Sequence, residues 1–88
     1  MNVGYSKKFL KQLAVLPSGV RAKIESFVFD ELPRLDSFAE SGKVEKMSGY
    51  KSFYKVRFGS YRVGLHKQQE KVVVKLVMHR REIYRYFP

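Results

Sequence analysis

Apolar residues recur at helical spacing in the first third of the chain and at strand spacing in the second half, and that change of period divides the molecule. Phe9, Leu10, Leu13 and Leu16 fall on one stripe of a helix predicted over Lys7–Leu16, with Ser6 as its N-cap and Pro17 as its stop. Val20, Ile24, Phe27 and Val28 form the stripe of a second helix, predicted from Ser18 as cap to about Leu32 and ended by Pro33. Residues 34–43 read as loop, with Phe38 tucked in. After them Phe53–Phe58 alternates, Gly59-Ser60 is a two-residue hairpin turn, and Tyr61–Lys67 alternates again. The polar stretch QQEK then leads into a strand over Val72–Met78, while Asn2–Ser6 and Glu45–Met47 are shorter strand candidates. Helices first and strands afterwards predict an α+β fold. The expectation is one domain over residues 1–88: an N-terminal helical hairpin packed on one face of a small twisted antiparallel sheet of three to four strands, closed by a short C-terminal helix.

The turns predict the register. With Gly59-Ser60 as the loop, Phe58 faces Tyr61, Val56 faces Val63 and Tyr54 faces Leu65. With residues 68–71 as the next loop, Leu65 faces Val74, Val63 faces Leu76 and Tyr61 faces Met78. Every pair is apolar, so one face is a continuous core surface, which a slip of one residue would scramble. The opposite face then carries Lys55, Gly64 and Lys75 in one row and Arg57, Arg62 and Val77 in the next, with His66 and His79 toward the ends. Like charges opposite one another destabilise a sheet, so this cluster points to an anion held there, against the plainer reading of long side chains splayed into water. A helix over residues 80–87 would anchor itself through Ile83 and Phe87 and set Arg80 beside Tyr84, one turn beyond His79.

Composition sharpens this picture. Of the 88 residues 44% are hydrophobic and 15% aromatic, which suits a folded globule. The net charge of +10 is uneven: residues 1–44 carry 7 Lys/Arg against 5 Asp/Glu, and residues 45–88 carry 11 against 3. A basic half-domain fits a polyanion, with nucleic acid ahead of an acidic protein or an anionic membrane, or else a surface kept basic for solubility. The chain has no cysteine, which excludes disulfides and thiolate metal ligands and suits a reducing cytoplasm. No signal-peptide pattern opens it, and VVVKLVM is far too short to span a bilayer. Glu45, Glu70 and Glu82 are scattered, His66 and His79 lack an evident third ligand, and there is no P-loop, GxGxxG or HExxH, so neither a metal nor another cofactor is expected.

The chemistry left to a cationic site without metal is attack of an RNA 2′-OH on its own 3′ phosphate. Lys55 is a candidate base, its neutral form favoured by Arg57, Arg62 and Lys75 around it. His79 and Tyr84 are candidates for proton transfer, and Arg57, Arg62 and Arg80 for holding the phosphate. The plainer alternatives are that His79 merely ends a strand and Tyr84 packs in the core.

YKVRFGSYRVGL (54–65), the valine strand and HRREIY (79–84), following two amphipathic helices, resemble the RelE superfamily of bacterial and archaeal toxins over essentially the whole chain. The resemblance implies metal-independent cleavage of mRNA in the ribosomal A site, leaving a 2′,3′-cyclic phosphate. It also implies inhibition by a cognate antitoxin that wraps the toxin, with DNA met only through the antitoxin complex. By position, Lys55 matches a proposed general base, Arg57 a second basic residue and Arg62 a phosphate-binding arginine. Arg80, or its neighbour Arg81, matches the catalytic arginine, Tyr84 a tyrosine that stacks on or orients substrate, and His79 a histidine of some members. Lys51, Lys75, Arg81 and Arg85 add charge for RNA binding. The related ParE toxins share the fold and poison DNA gyrase without cutting RNA, and a simple basic RNA-binding module is a third reading.

Overall fold

The computed structural model describes residues 1–88 as strand β1 (Asn2–Tyr5), helices α1 (Lys7–Ala14) and α2 (Ser18–Glu25), strands β2 (Val44–Lys46), β3 (Phe53–Phe58), β4 (Tyr61–Gln68) and β5 (Lys71–His79), and helix α3 (Ile83–Tyr86). The strands form one five-stranded sheet in the order β1-β5-β4-β3-β2. β1 runs parallel to β5 and the other pairings are antiparallel, so the sheet is mixed and larger than the three to four antiparallel strands expected. Both short strand candidates joined it, one at each edge.

The helical hairpin covers one face. In α1 only Phe9 and Leu13, four residues apart, are buried; Leu10 is 43% exposed and leaves the expected stripe. Ser6 caps α1 by accepting from the Phe9 N–H at 3.0 Å, whereas α2 starts after Pro17 with no side-chain cap, so Ser18 is its first residue rather than its cap. The second helix runs on as a π turn over Ser26–Glu31 and a 3-10 turn over Leu32–Arg34. Residues five apart align in a π turn, and Phe27 and Leu32 are accordingly both buried, together with Val28. These side chains join Val56, Val63, Leu65, Val72, Val74 and Val77 in the main core.

The β3–β4 register agrees with expectation at Phe58↔Tyr61, Val56↔Val63 and Tyr54↔Leu65. Gly59 has φ +60 at the first position of the connecting turn, the pattern of a type II′ hairpin. The next hairpin turns on Gln69-Glu70 alone, yet Leu65↔Val74 holds. Beyond it the expectation fails. Leu65 pairs with Val74 but Gly64 pairs with Leu76, which leaves Lys75 as the extra residue of a β-bulge. Val63 therefore faces Val77, and Tyr61 faces His79.

Ser6 and Gln12 sit at this bulge. The Ser6 hydroxyl donates to the Lys75 carbonyl at 2.6 Å, and the Ser6 N–H donates to the Val74 carbonyl at 3.0 Å. Where β1 ends, Gln12 of α1 takes over the sheet edge, its Oε1 accepting from the Val77 N–H at 2.9 Å. The bulge sends Val77 into the helix-covered core and Leu76 to the other face. There Leu76 forms a second, smaller core with Met47, Ile83 and Phe87, flanked by Phe53 and Met78. The C-terminal segment thus lies across the outer face of the sheet.

Candidate functional site

On the outer face β3 presents Phe53, Lys55 and Arg57, and β4 presents Gly64 and Arg62 beside them. A Cβ on Gly64 would stand 2.8 Å from the Phe87 ring, so glycine is what lets the tail lie flat on the strand. Ile83 and Phe87 are buried and the Phe87 N–H donates to the Ile83 carbonyl at 2.8 Å, as the expected i,i+4 anchor requires. Helix α3 is shorter than expected, however. Arg80 lies in a turn ahead of it rather than one helical turn below Tyr84.

The partner of Tyr84 is instead Lys55. The Lys55 Nζ donates to the Tyr84 Oη at 2.5 Å and lies 5.0 Å from the ring centre. Tyr84 is 62% exposed, so it does not pack in the core. Next along the strand Arg57 places its Nε 3.2 Å from Glu45 Oε1, an exposed ion pair. Across from it, Arg62 Nη1 donates to the carbonyls of Gly59 at 2.7 Å and Tyr61 at 2.9 Å. The repulsion between these two arginines is therefore eased from within, by a carboxylate and by turn carbonyls. Arg80 reaches the same end of the sheet, its backbone N–H donating to the Ser60 carbonyl at 2.7 Å.

Two expected members stand elsewhere. Lys75 leaves the row of Lys55 and Gly64, because the bulge gives that place to Leu76. His79 pairs with Tyr61, and their rings meet edge to face at 5.8 Å on the helix-covered side of the sheet, not beside Lys55 and Arg57. Its Nδ1 is taken up locally by the Arg81 N–H at 3.2 Å. Lys51, Arg81 and Arg85 are exposed around this assembly. No group of three or more His, Asp or Glu side chains is close enough together to hold a metal ion.

Two nearby residues carried no functional assignment in the sequence. Glu45 pairs with Lys55 in register as well as with Arg57, and the strand alternation over Glu45–Met47 was its one signal. Tyr50 lines a cleft of about 370 Å³ together with Met47, Ser48, Lys55, Tyr84, Phe87 and Pro88.

Known proteins share this architecture. A family model described as the ParE toxin of the type II toxin–antitoxin system parDE matches residues 3–84. Toxin RelE3 of Methanocaldococcus jannaschii is 32% identical over 89 residues, covering all of both chains. One chain of the crystal structure of the RelB–RelE antitoxin–toxin complex from Methanococcus jannaschii superimposes with a TM-score of 0.78 at 29% identity, over 97% of this chain and 99% of that one. The toxin–antitoxin complex RelBE2 from Mycobacterium tuberculosis gives a TM-score of 0.68 at 21% identity, over 89% of this chain and 95% of that one, a likeness of fold. With a family match across nearly its whole length and a full-length relative above 30% identity, the chain belongs to the RelE/ParE superfamily, the toxins of type II toxin–antitoxin systems.

Proposed function

We propose that the protein is a metal-independent, ribosome-dependent mRNA endonuclease, the toxin of a pair held in check by a cognate antitoxin in the cytoplasm. The observation that carries this reading is the Lys55–Tyr84 contact at 2.5 Å on the face that also bears Arg57 and Arg62. The substrate brings its own nucleophile. The ribose 2′-OH attacks the adjacent phosphorus, its proton passes to the Lys55 amine, which reacts in its neutral form, and the bond to the 5′ oxygen breaks. The products are a 2′,3′-cyclic phosphate and a 5′-hydroxyl, the latter taking a proton from Tyr84. Arg57, Arg62 and Arg80 hold the phosphate and the extra charge that builds on it. His79 is left out of this scheme, because it lies with Tyr61 on the other side of the sheet.

Lys51, Arg81 and Arg85, exposed around the site, suit contacts with ribosomal RNA. Complexes of related toxins with RelB support an antitoxin partner, and DNA would be met only through that complex. The reading is tested by a cleavage assay on programmed ribosomes with end-group analysis. Arg62→Ala and Arg80→Ala are each expected to lose activity while still folded. Undiminished cleavage by the Lys55→Ala, Arg62→Ala, Arg80→Ala triple variant would refute the site.

A second reading is favoured by the family model itself, which is described for ParE. In that case the chain inhibits DNA gyrase without catalysis. A supercoiling assay that responds while translation continues would place it there.

A further inference from the structure

The cleft beside Lys55 has two exposed aromatic walls, of which the phosphate chemistry uses one. Tyr50 is 50% exposed and Tyr84 62%, and both line the same space. Tyr50 is held there by its backbone. Its N–H donates to the Met47 carbonyl at 3.2 Å across a tight turn in which Gly49 has φ +81, the third position of a type II turn. Its ring is braced by an aromatic neighbour. Phe53 meets it edge to face at 6.2 Å and 81°. Phe53 is itself fixed, stacked on His66 at 4.2 Å and 1° and met by Phe87 at 5.4 Å and 79°. A braced aromatic ring left half in water, sharing one cleft with a second tyrosine and a lysine amine, suits stacking on an unpaired base.

We infer that Tyr50 and Tyr84 together line a subsite for one unstacked nucleobase, whose ribose lies beside Lys55. The subsite rests on the RNA-handling reading above and adds Tyr50 to it as a positioning residue. Recognition there is by stacking, since two tyrosines line the cleft, and any base enters it, the larger purines most tightly.

Binding tests this without cleavage. The probe is a six-unit abasic deoxyribose phosphate oligomer bearing a single 2-aminopurine, which has no 2′-OH to attack; its partner is the same oligomer with no base. On the wild-type protein the base should quench on binding and tighten affinity about 5- to 150-fold over the bare backbone, the range of one base–aromatic stack. Tyr50→Ala should remove most of that ratio while leaving backbone affinity unchanged, and Tyr50→Phe should keep it. Tyr50→Leu keeps an apolar body against Phe53 in case the alanine variant folds poorly, and should also lose the ratio. Equal base dependence in wild type and in the alanine and leucine variants would overturn the subsite, as would a loss shared equally by the bare backbone. A protein that fails to cut mRNA but keeps a Tyr50-dependent ratio would refute the nuclease and retain the subsite.

Discussion

Gly64→Ala is the most direct test of how the tail is seated. The added Cβ would lie 2.8, 2.9 and 2.9 Å from Phe87 Cε2, Cζ and Cδ2, where about 3.5–4.0 Å is the favourable carbon separation. The ring must retreat by close to an ångström, and it belongs to a small core with Leu76, Ile83 and Met47. Overpacking of this kind costs about 1–3 kcal/mol, and alanine returns about 0.5–1 kcal/mol by restricting the unfolded chain and suiting a strand. A net loss of up to about 2.5 kcal/mol follows, centred near 1 kcal/mol and read as a melting point lowered by about 4–8 °C for a domain of this size. The partner substitution Phe87→Leu trims the ring and should give back part of the loss. A thermal or urea double-variant cycle therefore expects a coupling above the ~0.3–0.5 kcal/mol of independent sites. If Gly64→Ala costs the same in the Phe87→Leu background, the ring is not what the Cβ meets, and the placement of the tail on β4 is wrong. Because Tyr84 rides on the same tail, the single variant should also weaken its contact with Lys55, visible as a shifted Tyr84 ring resonance.

The other predictions address the cap, the ion pair and a half-buried hydroxyl. Ser6→Ala removes the cap of α1 and the hydroxyl that satisfies the Lys75 carbonyl at the bulge; a loss of about 1–3 kcal/mol in urea unfolding is expected, and a neutral result would dissociate the bulge from the cap. Glu45→Gln releases Arg57 from an exposed pair worth at most about 1 kcal/mol, so stability should barely move while affinity for single-stranded RNA at low salt rises. An unchanged affinity would mean that Arg57 does not reach the backbone. Tyr5 donates its hydroxyl to the Val28 carbonyl at 2.6 Å, and burial first, then the carboxylate of Asp30, raise its pKa above the ordinary 10.0. The folded protein holds this proton more tightly than the unfolded chain, so the stabilisation is complete below pH 10 and is lost as the pH climbs through the raised value. The stability gap between wild type and Tyr5→Phe should therefore narrow above pH 10, measured from urea midpoints at matched ionic strength.

Local rules carried a long way here. Prolines and apolar spacing predicted both helices, and Gly59-Ser60 set the pairing of β3 with β4 residue for residue, because a two-residue turn admits one register. That pairing is why the chain pattern alone sets Lys55, Arg57 and Arg62 on one face. The i,i+4 spacing of Ile83 and Phe87 likewise predicted the anchor of the tail. What the chain pattern did not contain was the bulge at Lys75. VVVKLVM alternates equally well in either frame, so nothing local shows that one residue is skipped. The choice falls to Ser6 and Gln12, which lie more than 60 positions away and take the Lys75 carbonyl and the Val77 N–H. That skip turns Leu76 outward to seat Phe87 over Gly64, and it carries His79 to the far side with Tyr61. The sequence by itself determined that Lys55, Arg57 and Arg62 share a face, since period and turn are properties of neighbours, whereas Lys75 left their row with the bulge. Tertiary structure alone decided which of the two candidates for proton transfer stands beside Lys55, since a bulge is set by partners distant in the chain: Tyr84 is there and His79 is not.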